Sequence, residues 1–315
     1  METVFPETLM IRRQKWIVGL LAVVLLIIGV MLFFSHKPTH YEVRKDLSIY
    51  FQNADDVIVS VREALRRHDR KITISYQSHG NNMEDIGALV RDLMQYAMDE
   101  TNNPTEGDYI YQQYGGYDLN YHYTEKNGIY CYTLEITPNY YTTLEQEAQV
   151  SEKLKEVLES FHFTRYTSDY EKVRTIYDYV YSHVSYDEIH KKNANYRPKL
   201  TAYGALIYQR AVCQGYAVLM YRMLRESGIT ARVITGKAWS DKGEEVHAWN
   251  LVCIEGLYYN LDVTWDKQTE SEKYFLKSDD GFEGHERDPE FRTDNFYQAY
   301  PMAEWDYPAS TEILD

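Results

Sequence analysis

The stretch from Ala211 to Asp266 changes its apolar period once, from helical to alternating, which commits this part of the chain to a helix packed on a strand pair. In its first half Tyr216, Leu219, Met220, Met223 and Leu224 recur at helical spacing through Glu226, and Ser227-Gly228 supplies the stop. Cys213 therefore falls in the first helical turn. There the unpaired amide N–H groups and the positive end of the helix dipole favour a thiolate, and the same amides could stabilise an oxyanion. In the second half, Val246 to Ile254 and Leu257 to Trp265 read as a hairpin turned at Glu255-Gly256. With Ile254 opposite Leu257, Trp249 faces Asp262 and His247 faces Thr264. His247 and Asp262 then share a face as diagonal neighbours, roughly 7 Å apart at the backbone.

A histidine with a carboxylate to orient it is a base awaiting a nucleophile, and the cysteine helix is the element that could bring one. Each residue also has an ordinary reading. A cysteine in an apolar helix is commonly a small buried hydrophobe, His247 beside Trp249 can be a satisfied core histidine, and Asp262 can belong to a turn. The combination of a thiol at a helix start with two polar residues on one strand face favours a single site, Cys213, His247 and Asp262, over three coincidences.

These residues lie in segments that resemble the transglutaminase-like superfamily: TAYGAL at Thr201 to Leu206, VCQGYA at Val212 to Ala217, HAWN at His247 to Asn250 and LDVTWD at Leu261 to Asp266. The resemblance covers roughly Tyr170 to Asp280. It implies a papain-like α+β core with Cys213 as nucleophile, His247 as base and Asp262 as orienter. Classical protein cross-linking members carry a tryptophan just after the cysteine. Here Gln214-Gly215-Tyr216 follows, which looks more like the bacterial branch that includes presumed peptidases.

The fold class expected for the whole chain is α+β, in several parts. Residues 1–15 form a short N-terminus. The uninterrupted apolar run Trp16 to Phe34 is long enough to cross a hydrocarbon core of about 30 Å and reads as a single transmembrane helix. Arg12, Arg13 and Lys15 precede it, so the N-terminus is expected in the cytoplasm and the main body outside the cell membrane. A cleaved signal peptide is the rival reading, against which stand the length of the run and the lack of a clear Ala-x-Ala site.

Residues 41–163 read as a small α+β domain. It comprises a helix marked by Val57, Val61, Ala64 and Leu65, a strand Lys71 to Tyr76, and a helix with Met83, Ile86, Leu89, Val90, Leu93 and Met94 as its stripe. A hairpin Tyr117 to Thr124 and Ile129 to Ile136 follows, turned at Glu125 to Gly128, and a helix Thr143 to Phe161 closes the domain. The core itself is placed at residues 168–280, opening with a helix Asp169 to about His183 behind the capping-box pattern of Ser168 and Glu171. Tyr186 to Thr201 is polar and reads as a loop near the cleft. Tyr203 is assigned either to the cleft, as an oxyanion donor, or to packing. Tyr274-Phe275-Leu276 is expected to add an edge strand, and residues 281–315 to form a C-terminal extension that is only partly ordered.

Composition narrows the chemistry. A formal charge of −15 and the lack of a basic stripe argue against nucleic acid as a partner. No Gly-rich phosphate loop, C-x-x-C pair or His-x-x-x-His pair is present, so neither cofactor nor metal is called for. The acidic stretch Asp279 to Glu283 lacks EF-hand spacing. Of the other two cysteines, Cys131 and Cys253 could pair outside the membrane and spare Cys213. Cys253 stands roughly 20 Å along the strand from His247, too far to serve as the nucleophile. The 31 tyrosines fit half-exposed strands and amphipathic helices, with a carbohydrate- or peptide-binding surface as the other reading.

The resulting expectation is a membrane-anchored, extracytoplasmic thiol enzyme that acts on amide or peptide bonds, hydrolytic rather than transferring. Its partner would be a protein or peptide substrate, cell-wall associated in the reading that includes the anchor. The alternative is a surface module that keeps the fold and binds cell-wall polymer or protein.

Overall fold

Two solutions to one problem, covering the apolar face of a sheet with helices, follow one another along the chain. The computed structural model describes residues 47–308 apart from 82, 241 and 242. The run Trp16 to Phe34 lies outside the described residues. Among those described, no helix is long and apolar enough to cross a membrane.

The first solution is an antiparallel sheet in the order β1 (Ile72–Ser78), β3 (Ile129–Tyr140), β2 (Tyr114–Lys126). Two amphipathic helices, Ala54–Arg66 and Ile86–Ala97, bury Val61, Leu65, Leu89 and Leu93 against Ile74, Leu134 and Ile136 of the sheet. The β2–β3 hairpin turns at Asn127-Gly128, both with positive φ, in agreement with the turn read from the sequence. Many of the tyrosines go into this sheet. Tyr76 and Tyr132 stack with ring centroids 4.9 Å apart, and Tyr123 and Tyr130 continue the cluster on the same face.

The second solution is a four-stranded antiparallel sheet, β8 (Leu257–Leu261), β7 (Gly243–Ile254), β6 (Ala231–Ser240), β9 (His285–Arg287), in that order. Helices Leu144–Ser160, Asp169–His183 and Cys213–Glu226 cover one face, joined in a core that includes Val150, Ile176, Leu219, Met220, Val233 and Val252. Both of the first two helices open with a capping box, Thr143 with Gln146 and Ser168 with Glu171. The Cys213–Glu226 helix is apolar nearly all round, as a helix sandwiched between a sheet and other helices must be. A two-stranded parallel pair, β4 (Ser185–Tyr186) and β5 (Arg210–Ala211), lies just ahead of it.

The described residues, 47–308, pack as one compact unit. The junction between its two halves is partly ionic. Arg232 on β6 donates to Asp108 at 2.7 and 3.1 Å, and the Tyr221 hydroxyl donates to Glu100 at 2.9 Å.

Two expectations need correcting. The strand expected to run to Trp265 stops at Leu261, because Asp262 turns away to cap a short helix, Val263–Thr269. Tyr274-Phe275-Leu276 is not an edge strand: the chain there meets β8 only through an isolated bridge between Asn260 and Lys277, and the edge strands of the sheet are β8 and β9. Within the extension, residues 281–308 supply β9 and a helix, Asp294–Ala299, and bury Phe282, Phe291 and Phe296.

Candidate active site

The β7–β8 register is the one turn geometry dictates, with Ile254 opposite Leu257 and Asn250 opposite Leu261. It brings the end of β8 beside His247, and the departure of Asp262 from the ladder completes the approach. His247 Nε2 lies 2.6 Å from Asp262 Oδ2. The carboxylate's other oxygen, Oδ1, accepts the backbone N–H groups of Thr264 and Trp265 at 3.0 and 3.1 Å. Asp262 therefore caps a helix with one oxygen and holds an imidazole with the other.

The Cys213–Glu226 helix reaches this pair because its first turn is clamped on both sides. Asn250, three residues past His247, donates to the Ala217 carbonyl at 3.0 Å and ties the helix to β7. On the far side Val212 N–H donates to the Lys199 carbonyl at 3.0 Å. Gly215 permits that closeness. A Cβ there would stand 2.7 Å from both the Lys199 carbonyl oxygen and the Ala211 Cβ. Lys199 is itself buried, and its Nζ donates to the carbonyls of His190, Lys191 and Asn193, each at 2.8 Å, which folds the polar loop expected near the cleft. The outcome is a Cys213 thiol within hydrogen-bonding reach of His247, half-exposed where His247 and Asp262 are only 2% and 1% exposed.

The electrostatics follow from this packing. Burial alone would lower the pKa of His247, but the Asp262 carboxylate and the Cys213 sulfur outweigh it, so its imidazolium persists well above the usual range. Burial alone would likewise raise Asp262, and the two histidines that donate to it hold it below the ordinary carboxylate range instead. Asp266, in the first turn of the capped helix, is pushed up to about 6 by burial, against donation from the Tyr177 hydroxyl at 2.7 Å and the Tyr274 N–H at 2.9 Å.

The structure thus brings Cys213, His247 and Asp262 together. Cys131, Cys213 and Cys253 are all free thiols, so the Cys131–Cys253 pairing does not form. Tyr203 is not at the site, since its ring packs on Tyr208 at 5.0 Å and its hydroxyl interacts with Tyr208 and Gln146. Two neighbours escaped the sequence. Tyr186 pairs with Ala211 across β4 and β5, which puts its hydroxyl in the field of Cys213; burial first, then the sulfur, raises its pKa. His285, on β9, places Nε2 3.1 Å from Asp262 Oδ2. A strand of only three residues has no readable alternation, and nothing in its sequence points back to Asp262.

The nearest donor atoms of His247, Asp262 and His285 lie within 4.8 Å of one another, close enough in principle to share a cation. Both imidazoles, however, direct Nε2 at the same carboxylate oxygen, the geometry of two hydrogen-bond donors on one acceptor rather than of three ligands converging on a common point. A cavity of about 250 Å³ lined by Arg66, His68, Tyr109, Glu147 and Arg222 opens elsewhere, between the two halves, and includes none of the site residues.

A buried histidine–aspartate pair thus faces a half-exposed thiol at a helix start, on an α+β core of helices over an antiparallel sheet. Residues 162–263 match the family model described as the Transglutaminase-like superfamily. The kyphoscoliosis peptidase of Mus musculus is 31% identical over 126 residues, which are 37% of this chain and 18% of that protein. The Homo sapiens kyphoscoliosis peptidase is 29% identical over 136 residues, 40% of this chain and 19% of that protein. The chain thus spans about a fifth of the length of these curated relatives. Among solved structures, one described as a TGase aligns with 46% of this chain and 44% of its own at 21% identity and a TM-score of 0.34.

Proposed function

We propose that the chain is a thiol enzyme that hydrolyses amide or peptide bonds through Cys213, His247 and Asp262. The observation that carries this reading is the 2.6 Å contact of His247 Nε2 with Asp262 Oδ2, which leaves the other imidazole nitrogen for the Cys213 thiol. In the acylation step sulfur bonds to the substrate carbonyl carbon opposite the protonated His247, and the carbonyl oxygen becomes an oxyanion beside the helix start. His247 then gives its proton to the amide nitrogen, the C–N bond breaks, and an amine leaves. In deacylation water gives its proton to His247 and attacks the thioester carbon. The C–S bond breaks, the acid is released, and His247 keeps the proton taken from water, which restores the starting state. Asp262 stays ionised and holds the ring in place.

Hydrolysis is preferred to transfer because water is abundant and the sequence carries no evident amine-binding feature. The substrate class is a protein or peptide. Placement outside a membrane belongs to this proposal and rests on the Trp16 to Phe34 run alone.

The test is the pH dependence of Cys213 alkylation in the full chain carrying Cys131→Ser and Cys253→Ser. An unactivated thiol titrates near about 8.5. Rapid alkylation at about pH 6 that is lost in His247→Ala supports the reading. Ordinary alkylation that ignores His247 would sink it.

A further inference from the structure

The cavity of about 250 Å³ between the two halves has no part in the thiol mechanism. Its wall is rich in charge, yet the charges are already paired. Arg66 holds Glu63 at 2.8 Å, Arg67 holds Asp69 at 2.7 Å and Arg222 holds Glu226 at 2.9 Å. Glu147 accepts the Tyr109 and Thr142 hydroxyls, both at 2.7 Å. A ligand with a net charge would find no uncompensated opposite charge there, and either sign would meet repulsion from part of the wall. What the wall leaves open is one donor and one acceptor. Arg222 is only 3% exposed and gives Nε to Glu226 and Nη2 to the Ser151 hydroxyl, while Nη1 has no partner among the described residues. His68 Nδ1 is buried and has no partner among them either. The Thr142 hydroxyl gives its proton to Glu147, so towards His68 Nε2, 3.5 Å away, it accepts; Nε2 then carries the ring proton and Nδ1 the lone pair. Burial lowers the pKa of His68 against the pull of Glu147, in keeping with a neutral ring.

A hydroxyl answers both needs, because it donates and accepts. Space decides how many hydroxyls enter. At about 30 Å³ each the cavity has room for about eight waters, enough for one ring that carries several hydroxyls and returns the hydrogen bonds of the waters it displaces. The lining also offers the rings of Tyr109 and Tyr140 and the aliphatic side chains of Leu65 and Ile110, apolar surface for the C–H groups of such a ring. We propose that this cavity binds a single neutral sugar ring, with Arg222 donating to one hydroxyl and His68 accepting from another. Arg222 stands on the same helix as Cys213, about 14 Å further along its axis. Gln113 of the lining accepts the Ala202 N–H at 3.0 Å, beside the loop that seats the start of that helix. A glycan held in the cavity therefore sits at a fixed offset from the thiol.

The proposal does not rest on the thiol reading. Its test is calorimetric titration of the full chain with glucose, galactose and N-acetylglucosamine. At least one is expected to bind at about 1 mM, the strength open to a ligand of about a dozen non-hydrogen atoms. Arg222→Lys keeps the charge and loses the planar fork; His68→Gly removes the acceptor and suits the positive φ at that position. Each is expected to weaken binding by about tenfold. If Arg222→Lys fails to fold, His68→Gly decides. Binding that ignores the variants lies on another surface and overturns the proposal, as does the failure of all three sugars to bind at about 10 mM. N-acetylalanine binding more tightly than the sugars would assign the cavity to a carboxylate, and glycerol binding as tightly would remove the need for a ring; either result overturns it. The titration is repeated after alkylation of Cys213 in the chain carrying Cys131→Ser and Cys253→Ser. Retained binding supports the cavity, whereas lost binding places the sugar at the thiol and overturns the proposal. An unactivated thiol in the parent chain would sink the thiol reading and leave the sugar titration untouched.

Discussion

Asp262 performs two tasks with two oxygens, and they separate by mutation. Asparagine keeps a cap oxygen for the Thr264 and Trp265 N–H groups, since Asn and Asp cap about equally well, but removes the charge that sustains the His247 imidazolium. Asp262→Asn is expected to leave the thermal midpoint near that of the parent while slowing Cys213 alkylation at about pH 6 by about 10–100-fold. Asp262→Ala loses the cap and strands buried imidazolium charge, so it should cost about 3–5 kcal/mol of stability as well, measured by denaturant unfolding. The pH dependence has a definite sign. His247 has its folded pKa raised, so the stabilisation it derives from Asp262 is fully present below its unfolded value near about 6.5 and is lost as pH rises through the folded value. Asp262 has its folded pKa depressed, so its contribution is present above about 3.9 and is lost as pH falls through the folded value.

At the scale of elements, the cysteine helix shows where local preference and packing oppose each other. In an isolated helix Gly215→Ala would gain about 1 kcal/mol. Here the added Cβ meets the Lys199 carbonyl oxygen at 2.7 Å, backbone that cannot turn aside. The variant is expected to lose about 1–3 kcal/mol in denaturant titration, and to slow alkylation because the first turn must move. The same element shows what a sequence reveals. Its span, the Ser168 capping box of its neighbour, the Asn127-Gly128 turn and the β7–β8 register were legible, since each is set by residues adjacent in sequence or paired around a two-residue turn. The end of β8 was not, because Leu261 to Trp265 alternates well enough to continue a strand and only the capping oxygen of Asp262 stops it. His285 was invisible for a different reason: three paired residues beyond an acidic loop carry no periodicity, and their placement depends on a hole at Gly236, which sequence records only as an absent side chain.

For the molecule as a whole, the two halves are joined by a network that works against itself at neutral pH. Burial, then the neighbouring Asp108, raises Glu100 to about 8, and Arg232 only partly offsets them. A folded carboxyl that holds its proton more tightly than the unfolded one loses stability as pH rises, here between about 4.3 and about 8. Glu100→Gln keeps one acceptor oxygen, which at the Oε1 position is within reach of both the Asp108 N–H and the Tyr221 hydroxyl. Its advantage over the parent should grow from about pH 5 to about pH 8, reaching about 1 kcal/mol, or about 2–4 °C in Tm, by calorimetry. The Lys199 ammonium supplies a different kind of junction. Its three carbonyl contacts organise the loop as a bound divalent ion would, while its own carbonyl seats the helix that carries Cys213. Loop order is therefore indifferent to chelators, and on warming the loop and the seating of the thiol loosen as a single event. In Lys199→Met the carbonyls of His190 and Asn193 keep the Asn193 and Tyr196 N–H groups while that of Lys191 loses its donor, at a cost of about 1–3 kcal/mol, and alkylation at low pH is expected to fade at a temperature below that at which the tyrosine-rich sheet melts. The protein would then pass through a warm state that is still folded and no longer reactive.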